Sequence, residues 1–167
     1  MTDLVVTRRG ARFGNRVLPC ALGHGGIRAD KREGDGATPV GRFALRRVYW
    51  RADRLARPVT RLPVAPIGPR LGWSDDPADP GYNRPCRLPR RLGAERMRRG
   101  DRLYDLVVTT SHNEAGVPGA GSAIFLHLRR GLGPRTAGCI AFRREHLLWL
   151  LRRWDGGAVV VRPDAPV

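Results

Sequence analysis

Apolar residues occur along the chain in short runs that turn-forming residues separate. The runs are rich in Val, Ile, Leu and Phe and are bounded by Gly, Pro and Asn, a pattern typical of β-strands. Gly14-Asn15 indicates a hairpin turn, although the favoured order is the reverse. We expect strands at residues 4–7, 17–22, 43–50, 62–67, 103–110, 123–126 and 158–161.

One segment has helical periodicity instead. Within residues 144–154, four apolar residues recur at helical spacing and predict a buried stripe, while His146 lies off it and is expected at the surface: Leu147, Leu148, Leu151 and Trp154. A second, short basic helix is expected at residues 94–99. The pattern as a whole predicts a mainly β fold, a sandwich or partly closed barrel with one or two short helices. Without repeats or a linker, residues 1–167 are expected to form a single domain.

The segment at residues 122–142 combines a strand-end histidine with a Gly-Cys pair. His127 ends the predicted strand, a loop of Gly, Arg and Pro follows, and Gly138-Cys139 opens the next apolar segment. Adjacent strands would bring the imidazole beside the thiol, whose ordinary pKa of about 8.5 leaves it mostly protonated at neutral pH. The imidazole would accept the thiol proton and stabilise a thiolate nucleophile. The alternative interpretation is a buried core cysteine next to a hydrogen-bonded histidine.

Two motifs in this order resemble the L,D-transpeptidase family, the YkuD family. The first is the turn-rich segment GDGATPVGRF at residues 34–43, and the second is His127 followed by Thr136-Ala137-Gly138-Cys139-Ile140. The resemblance covers residues 17–161 and implies the YkuD fold. It also implies a cysteine acyltransferase that acts on peptidoglycan stem peptides.

The resemblance assigns a role to each residue of the motif. Cys139 would attack a donor amide and form a thioester, and His127 would accept the thiol proton. The carbonyl of Leu128 would orient the imidazole, and main-chain amides at Gly138 and Cys139 would stabilise the oxyanion. An amine of a second stem, typically diaminopimelate, would then take the acyl group and form a cross-link. No cofactor or metal is implied.

The chain departs from many family members near the nucleophile. Ala137 stands where they have histidine, Ala141 follows the Cys-Ile pair, and the loop after His127 is short. These differences predict an altered groove and a cross-link of unusual position. A shorter loop that exposes the thioester to water favours an alternative, a carboxypeptidase or endopeptidase.

Several polar residues near strand ends are candidates for substrate contacts. The segment Tyr82-Asn83-Arg84 would line a groove and bind a carboxylate, or else form a surface turn. His112 ends the strand before the motif and is a weaker candidate for the base than His127. The predicted substrate-binding set is Tyr82, Arg84, His112, Asn113, Arg135 and Thr136.

The formal net charge of +16 comes almost entirely from arginine. Such a surface favours polyanions, so a non-catalytic protein that binds cell wall or nucleic acid is a further alternative. No nucleic-acid-binding motif is present, however, and nucleic acid is not an expected partner. Scattered histidines and the absence of a CxxC pair argue against a metal site.

Location and assembly are less constrained. Cys20 and Cys86 could pair in an oxidising compartment, and the odd cysteine count leaves one thiol free. No run is long enough to span a membrane, and the first residues lack the pattern of a signal peptide. The resemblance nevertheless implies the periplasm or cell envelope. We expect a monomer.

Overall fold

The computed structural model describes residues 1–129, 131 and 135–164. These residues form fifteen strands and one helix. The strands are β1 (Leu4–Thr7), β2 (Gly10–Phe13), β3 (Arg16–Leu18), β4 (Cys20–Ala21), β5 (Ile27–Arg28), β6 (Thr38–Pro39), β7 (Gly41–Trp50), β8 (Val64–Pro66), β9 (Leu71–Ser74), β10 (Pro85–Arg87), β11 (Ala94–Arg96), β12 (Leu106–Thr110), β13 (Phe125–Leu128), β14 (Ile140–Phe142) and β15 (Ala158–Val161), and the helix is α1 (Arg144–Arg153).

The main sheet contains ten strands and curls almost into a barrel. Its order is β3-β2-β1-β15-β7-β12-β13-β14-β4, and β8 pairs with β7 beside this path. The two ends of the path, β3 and β4, are separated in sequence only by Pro19, which keeps the ends of the sheet close together. Proline has no N–H to donate, and the predicted strand at residues 17–22 is therefore split in two. The prediction of a mainly β, partly closed fold is confirmed.

Helix α1 covers the inner face of this sheet and closes the main core. Leu147, Leu150 and Leu151 have no solvent exposure, and Trp154 stacks on Phe13 with ring centroids 5.8 Å apart. The helical stripe predicted from the sequence is thus confirmed in type and position, with Leu150 as a further member. The prediction that His146 is exposed is wrong, since the residue is half-buried and its Nδ1 is shielded from solvent.

A second, three-stranded sheet of order β10-β9-β11 packs over the outer face of β13. Trp73 of β9 meets Phe125 of β13 edge to face, with ring centroids 4.9 Å apart. The helix predicted at residues 94–99 is wrong, since β11 occupies this position and pairs with β9. Pairing with a neighbouring strand and burial of Met97 outweigh a helical preference that was only local.

Strand β2 was not predicted, because only its alternate residues Ala11 and Phe13 are apolar and buried. The strands predicted at residues 4–7 and 158–161 match β1 and β15, the other predicted strands are present with shifted ends, and the hairpin turn at Gly14-Asn15 joins β2 to β3. Within the described residues, none of the helical structure has the length and apolar character needed to cross a membrane.

The buried side of α1 supplies a test of the packing. Leu147→Ala should lower the free energy of unfolding by about 2–5 kcal/mol, because it removes a fully buried side chain and leaves a cavity. Leu148→Ala on the half-buried side of the same turn is the control, with a clearly smaller loss. Urea denaturation followed by circular dichroism measures both, and equal losses would contradict the described helix orientation.

Candidate active site

A cleft of about 540 Å³ opens between the end of β13 and the three-stranded sheet. His127 and Cys139 both line it, and each is almost fully buried. Strands β13 and β14 are parallel, with Leu126 paired to Ile140 and His127 paired to Ala141. Side chains alternate along a strand, so His127 and Cys139 face the same side of the sheet. The juxtaposition predicted from the sequence is present.

The imidazole of His127 is held by the main chain of the next residue. Its Nδ1 lies 2.7 Å from the carbonyl oxygen of Leu128. A neutral imidazole makes this bond only with the proton on Nδ1, which leaves the lone pair on Nε2 for the cleft. Burial is the main cause that lowers the pKa of His127 to about 4, and the ring is therefore neutral at pH 7.

The thiol of Cys139 is bonded to main-chain atoms next to β13. Sγ donates to the carbonyl oxygen of Ala123 at 3.0 Å, and the N–H of Phe125 donates to Sγ at 3.4 Å. Burial, followed by the negative charge of Glu95, raises the pKa of the thiol to about 12. The sequence interpretation expected an ion pair with His127. The folded protein instead holds a neutral thiol beside a neutral imidazole.

A threonine hydroxyl shapes the turn before the nucleophile. Thr136 Oγ1 donates to the carbonyl oxygen of Cys139 at 2.6 Å and accepts the N–H of Gly138 at 3.1 Å. Because the Gly138 amide is already bonded, the prediction that it faces the oxyanion is corrected here. Gly138 has a φ of 136°, and a Cβ there would lie 2.8 Å from the carbonyl oxygen of Ala37. Only glycine lets the two sequence motifs pack together at this point.

Asn83 fixes the main chain at Ala123, whose carbonyl oxygen accepts the hydrogen bond from the Cys139 thiol. Its Oδ1 accepts the Trp73 indole N–H at 2.9 Å and the Ala123 N–H at 3.0 Å. Its Nδ2 donates to the carbonyl oxygens of His112 and Asn113 at 3.0 and 2.9 Å. These bonds use the full capacity of the amide and hold Ala123 at a φ of 52°, which is unfavourable for a residue other than glycine.

A comparison of the chain with models of protein families gave a match to one family. The family model described as YkuD, the L,D-transpeptidase catalytic domain, matches residues 3–161. This chain belongs to the YkuD family. Neither the comparison with curated proteins nor the comparison with solved structures gave a match.

The predicted substrate contacts of the YkuD domain separate into two groups. Arg135 and Thr136 line the cleft beside Cys139, as the sequence placed them. Tyr82 lies outside the cleft lining, because its side chain is almost fully buried and its hydroxyl donates to Glu33.

The other predicted contacts stabilise the loop that follows β12. Asn113 donates to the carbonyl oxygens of Val117 and Gly121 at 2.9 and 3.0 Å, and the His112 ring packs against Phe43. Arg84 is exposed and contacts the same loop. None of His112, Asn113 and Arg84 lines the described cleft, so we correct their role to loop support.

Four carboxylates that line the cleft were missed from the sequence, and one of them, Asp101, is bonded to Arg99. The other three, Glu33, Asp75 and Glu95, are here called the acidic wall, and the hydroxyl of Tyr104 donates to Glu95 at 2.6 Å. Glu95 is the one acidic residue in the arginine-rich stretch of residues 84–99. This isolated negative charge could have marked it as a candidate, but the segment was interpreted as a basic helix.

Arginines also line the YkuD cleft. Arg129 and Arg135 both line it, and the Nε and Nη2 atoms of Arg129 are buried without a hydrogen-bond partner among the described residues. A buried guanidinium group without a partner favours an anionic ligand. Over the described residues, no group of three or more potential ligands could hold a metal ion. The three cysteines are unpaired.

The neutral resting pair predicts how Cys139 reactivity depends on pH. Both pH 6 and pH 9 lie above the His127 pKa of about 4 and below the Cys139 pKa of about 12. The thiolate fraction, and with it the iodoacetamide alkylation rate, should therefore rise about tenfold per pH unit over this range. Mass spectrometry of peptides separates Cys139 from Cys20 and Cys86. A rate that is already level near pH 7 would indicate a preformed ion pair instead.

The asparagine bonds predict a positioning effect. Asn83→Ala should lower the free energy of unfolding by about 1–3 kcal/mol through unpaired buried groups. It should also slow acylation of Cys139 by about 100-fold, because the Ala123 carbonyl is no longer held against the thiol. Stopped-flow acylation and urea unfolding measure the two effects. Asn15→Ala in the exposed hairpin turn is the control, and equal acylation rates in the two variants would contradict this role.

Proposed function

We propose that this YkuD domain transfers acyl groups between peptidoglycan stem peptides through a thioester on Cys139. The observation that carries the proposal is the placement of Cys139 and His127 on one face of parallel strands, inside a cleft that accommodates a peptide. The YkuD family acts on peptidoglycan stem peptides, and its match spans nearly the whole chain.

The first half of the reaction forms the thioester. A donor amide enters the cleft, and the Cys139 thiol passes its proton to His127 Nε2 as Sγ attacks the carbonyl carbon. The amide C–N bond breaks, and His127 returns the proton to the leaving amine. We assign the oxyanion to the main-chain N–H of Cys139, because the Gly138 N–H is bonded to Thr136.

The neutral resting pair supports a substrate-triggered mechanism. The thiol is protonated and bonded to Ala123 until a carbonyl carbon is near enough to be attacked. Proton transfer and attack would then occur together, because a free thiolate in this buried position is unfavourable. The Leu128 carbonyl stabilises the imidazolium that forms, since it accepts the Nδ1 proton.

In the second half, the amine of a diaminopimelate residue in an acceptor stem attacks the thioester and forms a cross-link. Stem peptides carry free carboxylates, and Arg129 and Arg135 supply the matching charge in the cleft. Hydrolysis of the same thioester is the second candidate. Exposure of Arg135 and Ala137, which both line the cleft, favours hydrolysis, because water reaches them.

The remaining proposals concern context. We propose that residues 1–167 act as one catalytic domain and as a monomer, and that the protein works at the cell envelope, where its substrate lies. Neither reaction needs a cofactor, because the nucleophile and the base are both side chains.

Purified disaccharide-peptides incubated with wild-type protein and with Cys139→Ala test the reaction. We expect a cross-linked dimer with wild type only, and fragmentation in the mass spectrometer locates the linked residues. Cys86→Ala is the control, since Cys86 lies on β10 outside the cleft lining and should retain activity. Shortened monomer without dimer would favour the hydrolase. Identical spectra for wild type and Cys139→Ala, with folding verified, would favour the non-catalytic binding protein.

A further inference from the structure

The proposed transfer reaction releases one more proton from the acceptor amine than His127 can accept. An acceptor amine with a pKa near that of lysine, about 10.4, arrives as an ammonium ion at neutral pH. It must lose two protons to become an amide nitrogen. One of them returns to Sγ as the thioester C–S bond breaks, through His127. The other must leave the ammonium before the nitrogen can attack, and this step requires a second base.

Glu95 occupies a suitable place for that base. It lines the cleft that also contains Cys139 and His127, and its charge is near enough to Cys139 to raise the pKa of the thiol. The hydroxyl of Tyr104 donates to the Glu95 carboxylate at 2.6 Å, and the Tyr104 ring packs against the His127 ring at 5.2 Å between centroids. The carboxylate is thus tied to the reacting pair by one nearly buried tyrosine.

The surroundings of Glu95 favour a cation. Burial raises the pKa of Glu95, and the acidic wall contributes further because Asp75 and Glu33 repel its charge. Two contacts lower the pKa of Glu95: the hydrogen bond from Tyr104 and the guanidinium group of Arg99, whose Nη1 lies 3.7 Å from Glu95 Oε1. Since like charges gathered in a cleft are stabilised by a cation, the wall selects a substrate group of positive charge.

A second observation indicates that the ligand is dipolar. Arg129, which lines the same cleft as the acidic wall, has buried guanidinium nitrogens without a partner among the described residues. A group with both an ammonium and a carboxylate would pair with the acidic wall and with Arg129 together. A free α-amino acid group has this chemistry.

We propose that Glu95 is a second catalytic base, which binds the acceptor ammonium together with Asp75 and Glu33 and removes its first proton. The proposal rests on the proposed transferase function. The neutral amine attacks the thioester carbon, the C–N bond forms, and the C–S bond breaks. His127 takes the second amine proton and delivers it to Sγ, and Glu95 releases the first proton to solvent. No oxidant or other co-reactant is required.

Hydrolysis makes no such demand, because water arrives without an excess proton. Glu95 is therefore required for transfer of the acyl group to an amine but not for hydrolysis of the same thioester. Its removal should affect transfer to an amine and leave both thioester formation and hydrolysis in place.

The test measures acylation and transfer separately for wild type, Glu95→Gln and a control, Glu114→Gln. Glu114 is exposed and pairs with Arg46 away from the cleft. Single-turnover mass spectrometry with a donor stem gives the rate of acylation of Cys139. A diaminopimelate-containing acceptor added to the acyl-enzyme gives the rate of transfer between pH 6 and pH 10.

For Glu95→Gln we expect acylation within about threefold of wild type and transfer at pH 7 reduced by about 100-fold, the usual contribution of a general base. The loss should shrink as the pH approaches the pKa of the acceptor amine, since solvent then removes the proton. Hydroxylamine, which is largely unprotonated at pH 7, should be acylated equally fast by wild type and variant. A merely structural role of Glu95 would give neither the recovery at high pH nor the rescue by hydroxylamine.

Tyr104→Phe is the second variant, because it keeps the ring against His127 and removes only the hydroxyl bond to Glu95. It should fold and show a smaller loss of transfer with the same rescue. Unchanged transfer in Glu95→Gln, or equal losses of acylation and transfer, would overturn the role of Glu95 alone. Absence of Cys139 acylation in wild type would overturn the proposed function and this inference with it.

Discussion

The parallel pairing of β13 with β14 is the constraint on which the site depends. The register that opposes Leu126 to Ile140 puts His127 and Cys139 on one face. A shift of one residue would turn the thiol into the hydrophobic core, because side chains alternate across a sheet. Helix α1, which follows β14 directly and packs its buried leucines over the same sheet, makes that shift unfavourable. The chemistry thus rests on the same contacts that stabilise the main core.

The second sheet encloses the Cys139 thiol and the His127 imidazole. Trp73 covers Phe125, and Asn83 ties the loops around Ala123. Enclosure removes water from the thiol and the imidazole, and both then favour their neutral forms. The protein thus holds the Cys139 thiol protonated and ordered. In the mechanism that we propose, a substrate that supplies both a carbonyl carbon and a path for the proton is needed to activate this thiol, which limits its unproductive reactions.

The cleft lining contains a cluster of negative charges, although the molecule as a whole is positively charged. The chain as a whole is strongly basic, with a formal net charge of +16, yet Glu33, Asp75 and Glu95 lie together in the lining of the cleft. Many other carboxylates pair with arginines, as Asp53 does with Arg51. A local concentration of negative charge in such a chain, beside an arginine with unpaired buried nitrogens, favours a ligand with both signs of charge rather than a polyanion.

The sequence by itself determined the β-rich fold, helix α1 and the nearness of His127 to Cys139, because these follow from local periodicity, turn residues and a short connection between strands. Only the tertiary structure decided the rest. Glu95 sits in a segment whose composition suggested a helix, and its position in the cleft comes from pairing with a strand some twenty residues earlier in the chain. Asn83 acts through carbonyls and amides about thirty to forty residues away. Tyr82 was expected in the groove and is almost fully buried, with its hydroxyl bonded to Glu33. Long-range pairing and burial set the surroundings of a side chain, and those surroundings, which no local pattern records, decide its protonation and its role.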